Sequence, residues 1–201
     1  MMIVCVHVGK TGGVHVHRVL REGGVDHVWL GHCTPLILAA ETHPADRLLI
    51  GIREPVQHAL SAFDARLRKQ ADWSPDENKF FARFPNAQEW CDALGSPEAD
   101  AAFEFLGHVS LGLAHYFAGD YRSVLNRTWI YDTHTLSSCM RVMFDRIGLD
   151  VPIDNERQHN AAPSRPSVSN EARRRLCKQL VNDIEIYHEL QPLTLTNQGA
   201  Q

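Results

Sequence analysis

Ile3-Val4-Cys5-Val6-His7-Val8-Gly9-Lys10-Thr11-Gly12-Gly13-Val14 opens as a short, mostly β-branched apolar run over residues 2 to 8 and halts at Gly9. From Val14 onward, Val16, Val19 and Leu20 recur at helical spacing until Gly23-Gly24 ends them. The order is strand, glycine-containing turn, helix. A second extended run, His27 to Leu30, closes at Gly31-His32-Cys33-Thr34-Pro35, and a third, Leu48 to Ile52, ends at Arg53-Glu54-Pro55. Pro55 suits the first turn of a helix, where its missing N–H costs nothing, and Val56, Leu60, Phe63 and Leu67 then follow on one face. Strands alternating with helices at this pitch predict βαβ units and a parallel sheet, apolar throughout because helices cover both faces. The expected class is α/β, a three-layer parallel sheet with flanking helices.

Residues 75 to 120 look helical, with breaks at Pro85, Pro97 and Gly107, and Thr128 to Tyr131 offers one more strand. Leu136 to Ile147 follows as a helix, residues 150 to 168 as a polar, proline-bearing loop, and Ser169 caps a last helix with Ala172, Leu176, Leu180, Ile184 and Tyr187 on one stripe. No repeat or linker divides the chain, so residues 1–201 are expected to form one domain.

The chain has 20 Lys+Arg against 24 Asp+Glu, a formal net charge of −4 and 44% hydrophobic residues. A chain of this size buries roughly 70% of its unfolded surface and needs no disulfide or metal staple. Mild acidity argues against nonspecific nucleic-acid or anionic-membrane binding, and no apolar run approaches the ~20 residues of a bilayer span. Any anion must therefore be bound at a local site. The N-terminus lacks a basic n-region, and Cys5, Cys33, Cys91, Cys139 and Cys177 have wide, irregular gaps. Free thiols, no membrane anchor and a cytoplasmic location are expected.

The chemistry starts at His7-Val8-Gly9-Lys10-Thr11-Gly12-Gly13. Glycines let the backbone aim several N–H groups at one point, the helix start adds partial positive charge and Lys10 a full one, a cradle for a tetrahedral anion. The alternative is an ordinary strand–helix turn with a surface lysine. The nucleoside-triphosphatase loop G-x-x-x-x-G-K-[ST] is absent, since Val4 stands where its first glycine belongs, and the third strand ends in Arg53 rather than a carboxylate. An arginine there suggests a second anionic group on the ligand, with Ser61, two helical turns beyond Pro55, offering a hydroxyl.

His-x-x-Lys-Thr-Gly-Gly and the later Arg-Glu-Pro-Val-x-x-Ala-x-Ser-Ala-Phe resemble the two nucleotide-binding motifs of sulfotransferases that use 3′-phosphoadenosine 5′-phosphosulfate (PAPS). Trp129-Ile130-Tyr131-Asp132, Ile147-Gly148-Leu149, Gln158-His159-Asn160 and Asn182-Asp183-Ile184-Glu185-Ile186-Tyr187 resemble the C-terminal half of the carbohydrate-directed branch, and residues 70 to 125 match least. The resemblance implies a P-loop-type cradle in which Gly9, Lys10, Thr11, Gly12, Gly13 and Val14 hold the 5′-phosphosulfate. It also implies that Arg53 and Ser61 hold the 3′-phosphate, and that the loop with Arg157, Asn160 and Arg165 folds over the nucleotide. Glu54 departs from the aspartate or asparagine common in the family.

The implied reaction moves a sulfuryl group from PAPS to a hydroxyl, with a carbohydrate or glycoconjugate as expected acceptor. Lys10 stabilises the leaving oxygens, and because a sulfuryl group carries fewer charges than a terminal phosphoryl group, no metal is expected. The acceptor's proton needs a base, and histidine titrates near working pH. His32, directly after the second strand, is the candidate, in a Gly-His stretch that resembles that of heparan sulfate 2-O-sulfotransferases; His7 and Glu41 are the runners-up. Trp73, Phe80, Phe81, Trp90 and Tyr116 either stack on a sugar or pack in the core. The alternatives are a small P-loop kinase acting on a nucleotide or metabolite, and a non-catalytic nucleotide-binding relative.

Overall fold

A computed structural model describes residues 2–151 and 167–197. Four strands, β1 (Ile3–Val6), β2 (His27–Leu30), β3 (Arg47–Ile52) and β4 (Thr128–Asp132), form an all-parallel sheet in the order β2-β1-β3-β4. In its register Cys5 lies between Trp29 and Leu49, and Gly51 pairs with Tyr131. The first helices are α1 (Gly13–Glu22), α2 (Leu36–Thr42), α3 (Pro55–Leu67), α4 (Pro75–Arg83) and α5 (Ala87–Ala93). They are followed by α6 (Pro97–Asp100), α7 (Ala102–Phe105), α8 (Leu113–Tyr116), α9 (Leu136–Arg146), α10 (Asn170–Gln179) and α11 (Val181–Leu190). Among the described residues no helix is long and apolar enough to cross a membrane.

Strand pleating assigns the layers. Val4 and Val6 face Leu36, Ala39, Tyr116 and Leu190 of α2, α8 and α11, whereas Ile3 and Cys5 face Val16, Leu20, Met140 and Phe144 of α1 and α9. Both faces are covered, as the unbroken apolar strands predict. A third cluster belongs to the helices between β3 and β4 together with α10. There Phe63 stacks on Trp90 at 5.0 Å and 8°, and the Trp90 indole donates to Ala99 O at 3.0 Å. Phe80, Phe81 and Trp90 are buried in this cluster, Tyr116 is buried against the sheet, and Trp73 lies against Phe81 at 4.5 Å. Truncating Trp90 to alanine would cost about 3–5 kcal/mol.

Two expectations need correction. The closing helix is two helices, broken at Leu180 (φ −104°, ψ 20°), because its apolar stripe serves two cores. Ala172, Leu176 and Leu180 join the third cluster, whereas Ile186, Tyr187 and Leu190 pack beneath the sheet. Glu41 lies at the C-terminal end of α2, where Arg127, preceding β4, donates to Ala40 O at 2.7 Å. That is the amino edge of the sheet, which removes Glu41 as a candidate base for a site at the carboxyl edge.

Candidate functional site

In the order β2-β1-β3-β4, the connections leaving β1 toward β2 and leaving β3 toward β4 diverge at the carboxyl ends of β1 and β3, the switch point at which open α/β sheets form their crevice. Lys10 follows β1 and Arg53 follows β3, so both flank it. The two segments are in contact. Arg53 Nη1 donates to Lys10 O at 3.0 Å, His58 Nε2 on α3 donates to Gly9 O at 2.9 Å, and Thr11 Oγ1 donates to Val8 O at 2.8 Å. The carbonyls of Val8, Gly9 and Lys10 are thereby each held by a side chain. Among the described residues the N–H groups from Lys10 to Val14, which run through a turn into the first turn of α1, make no hydrogen bond of regular geometry to the protein. Lys10 itself adopts φ 63°, a conformation that costs a non-glycine residue about 1–3 kcal/mol and persists only where its surroundings impose it.

Gly9 is the centre of this arrangement. Besides the His58 bond, its Cα is covered by the ring of His108, whose Nδ1 would lie 2.3 Å from a Cβ added at Gly9. The buried Tyr116 hydroxyl lies beside the N–H groups of Gly9 and Cys33 without a bond of regular geometry. A side chain at residue 9 would therefore displace the backbone that precedes Lys10. Gly51 does a comparable service one strand away. A Cβ there would lie 2.4 Å from the Tyr131 ring, and its absence lets Tyr131 reach across to the Thr11 hydroxyl. Thr11 is fully buried and its hydroxyl is committed inside the protein, so only its N–H is left for a ligand.

Ser61, Asp64 and Arg68 follow one another at three and four residues, on one face of α3 and its end. Asp64 and Arg68 pair at 3.0 Å. Burial, then the charges of Arg68 and Arg53, pull the Lys10 ammonium below its usual range; Asp64 opposes this and Lys69 adds to it. Asp64 and Arg68 thus act on the loop, and half-buried Ser61 lies one turn before Asp64 on the same face of α3. Glu54 caps α3, accepting from Gln57 N at 2.8 Å and pairing with Arg173 at 3.3 Å. Its carboxylate thus satisfies N–H groups of the first turn of α3.

Histidines line the neighbouring strand ends. His7 lies 4.5 Å from Trp29 and 4.1 Å from His32, and His32 lies 4.5 Å from His108. Burial, followed by the other histidines, lowers His7 to about 4. Burial, then His32, Lys10, Lys69 and Arg66, lowers His108 to about 4. His32 is lowered as well, mainly by burial, against a backbone hydrogen bond at His7 that raises it. Among the described residues no three His, Cys, Asp or Glu side chains converge as a metal site requires.

The predicted residues Gly9, Lys10, Thr11, Gly12, Gly13, Arg53, Ser61 and His32 are therefore gathered at one edge, with Val14 in the first turn of α1, its side chain exposed. Arg165, like Arg157 and Asn160, lies outside the described residues. A separate cleft of about 290 Å³, lined by Phe103, Glu104, His115, Gln179 and Asp183, contains none of them. The sequence reading missed His58 and His108, and it named Tyr116 and Tyr131 without a place at this loop. A polar residue inside the apolar face of α3 was a signal for His58; His108 and Tyr116 come from the poorly matched helical segment, where no local pattern marks them. No protein-family model matches this chain, and no curated protein is significantly similar to it.

Proposed function

We propose that the chain is a sulfotransferase that moves a sulfuryl group from PAPS to a hydroxyl, with a carbohydrate as acceptor. The observation that carries this reading is the meeting of the two motifs: Arg53 Nη1 on Lys10 O, beside N–H groups of residues 10–14 that make no hydrogen bond of regular geometry within the described chain. A ligand with two anionic ends spans that junction. The 5′-phosphosulfate lies on the N–H groups and Lys10, and the 3′-phosphate on Arg53 and Ser61. In this reading the acceptor oxygen forms its bond to sulfur as the bridging S–O bond breaks. The acceptor's proton passes to His32, Lys10 neutralises the departing oxygens, and the bisphosphate nucleotide is released. His32 belongs to a ring pair with His108, and burial keeps both in the neutral form that accepts a proton.

The kinase alternative needs a carboxylate free to hold Mg²⁺. The carboxylates that follow β3 and close β4, Glu54 and Asp132, are committed to Gln57 N and to His134 N with Tyr187 Oη, each at 2.8 Å, which favours the sulfuryl reading. Thermal stabilisation compares the two: 3′-phosphoadenosine 5′-phosphate should raise the melting temperature and ATP with Mg²⁺ should not, and the reverse result sinks the proposal. His32→Ala should abolish transfer while nucleotide affinity stays intact; loss of both together removes His32 from catalysis. Arg53→Ala should weaken the bisphosphate nucleotide more than an analogue lacking the 3′-phosphate. The analogue should weaken somewhat too, because Arg53 also holds Lys10 O.

A further inference from the structure

The peptide unit that joins Gly9 to Lys10 contains the carbonyl of one and the N–H of the other, rigidly trans in a single plane. Whatever fixes the direction of Gly9 O therefore fixes the Lys10 N–H in the opposite direction. His58 Nε2 holds that oxygen at 2.9 Å, from the second turn of α3, with a side chain that is almost wholly buried. Arg53 does the same to the following unit, holding Lys10 O and so directing the Thr11 N–H. We propose that His58 is a positioning residue for anion binding: by gripping Gly9 O it aims the Lys10 N–H into the mouth of the loop before any ligand arrives.

The residue type follows from the surroundings. The groups facing the His58 ring are Lys10, Arg53 and His108. A lysine or arginine donor here would bury one more cation among cations, at a cost that grows as water is excluded. A neutral imidazole supplies an N–H with no charge. Burial above all, against the Gly9 bond, pulls His58 down to about 4, so near neutral pH it carries one proton, and donation to Gly9 O requires that proton on Nε2. This bond joins two groups of the chain itself, which separates the role proposed for His58 from the ligand contacts proposed for Lys10, Arg53 and Ser61.

The inference rests on the proposal that the loop after β1 receives an anion, and inorganic pyrophosphate tests it apart from the nucleotide. The full chain, His58→Gln and His58→Phe are titrated with pyrophosphate and with 3′-phosphoadenosine 5′-phosphate, following the Lys10 amide by ¹⁵N NMR. A buried carbonyl left without its donor costs enough to lower affinity about tenfold. His58→Phe should lose that much for both ligands together with the ligand-induced shift of the Lys10 amide, and His58→Gln, which keeps an N–H, should stay within about threefold of the wild type. Equal losses in the two variants, or no loss in His58→Phe, overturn the positioning role. Should His58→Phe not fold, the wild-type ring decides: a proton on Nε2 and a Lys10 amide that shifts with pyrophosphate support the role, and a proton on Nδ1 overturns it. Pyrophosphate binding without nucleotide binding overturns the sulfotransferase reading alone; binding of neither overturns both.

Discussion

The two edges of the sheet use arginine in opposite ways. At the amino edge, Arg127 donates to Ala40 O, His43 O and Asp46 O at 2.7, 2.8 and 3.0 Å, and Arg47 donates to Asn126 O at 3.1 Å while lying over the Trp129 ring. There a cation meets the partial negative charge at the end of α2, an arrangement that stabilises the fold. At the carboxyl edge, Lys10, Arg53, Arg68 and Lys69 stand together near the positive N-terminal end of α1, with Asp64, paired to Arg68, offsetting part of their charge. Like charges gathered at a positive helix end oppose folding, as does the left-handed backbone of Lys10. One edge is arranged for stability, and the other carries strain and repulsion that a bound anion would relieve.

Replacing Arg127 is expected to have the largest effect. Arg127→Ala leaves the end of α2 and the turn after it without donors and should lower stability by about 2–4 kcal/mol. Calorimetry should record that loss with nucleotide affinity unchanged; a loss of affinity would break the division between the edges. Lys10→Met is next, and should weaken 3′-phosphoadenosine 5′-phosphate by roughly tenfold to a hundredfold without lowering the melting temperature. A marked drop in that temperature would mean that Lys10 supports the fold, as Arg127 does.

Acid should then act through the carboxyl edge. His7, His58 and His108 sit near 4 in the folded chain against an ordinary 6.5. Between those values the unfolded chain binds more protons, so stability is complete above pH 6.5 and is lost as pH falls toward 4. After allowance for solvent screening, the loss from pH 7 to 5 is about 2 kcal/mol, seen as a melting point lower by roughly 5 °C. His108→Gln should flatten that slope, and an unchanged slope would show that His108 does not contribute. Ser61→Ala is the smallest change: about threefold weaker binding of the nucleotide bearing the 3′-phosphate, and none for one lacking it. Equal weakening of the two would detach Ser61 from that end of the ligand.

Much of the frame was legible. The β-branched run before Gly9, the run at Leu48–Ile52 and Pro55 at a helix start are local signals, and β1, β3 and α3 formed where those signals lay. Leu180 was not legible as a break, because its stripe is continuous in the chain and only the divergence of two cores bends it. Lys10 and Arg53 stood out as cations just past the ends of two apolar strands, and Ser61 by its place two helical turns beyond Pro55. His58, His108 and Tyr116 had no such marking, since their part depends on where Gly9 comes to lie.

By itself the sequence determined a parallel α/β class and placed Lys10 and Arg53 after two strands, because periodicity and turn chemistry act over a few residues. Tertiary structure alone decided the strand order that makes neighbours of those strands, the grip of His58 and Arg53 on Gly9 O and Lys10 O, and the tilted ring contacts of His32 with His7 and His108. Those contacts join residues dozens of positions apart, and their geometry follows from packing that no local pattern encodes.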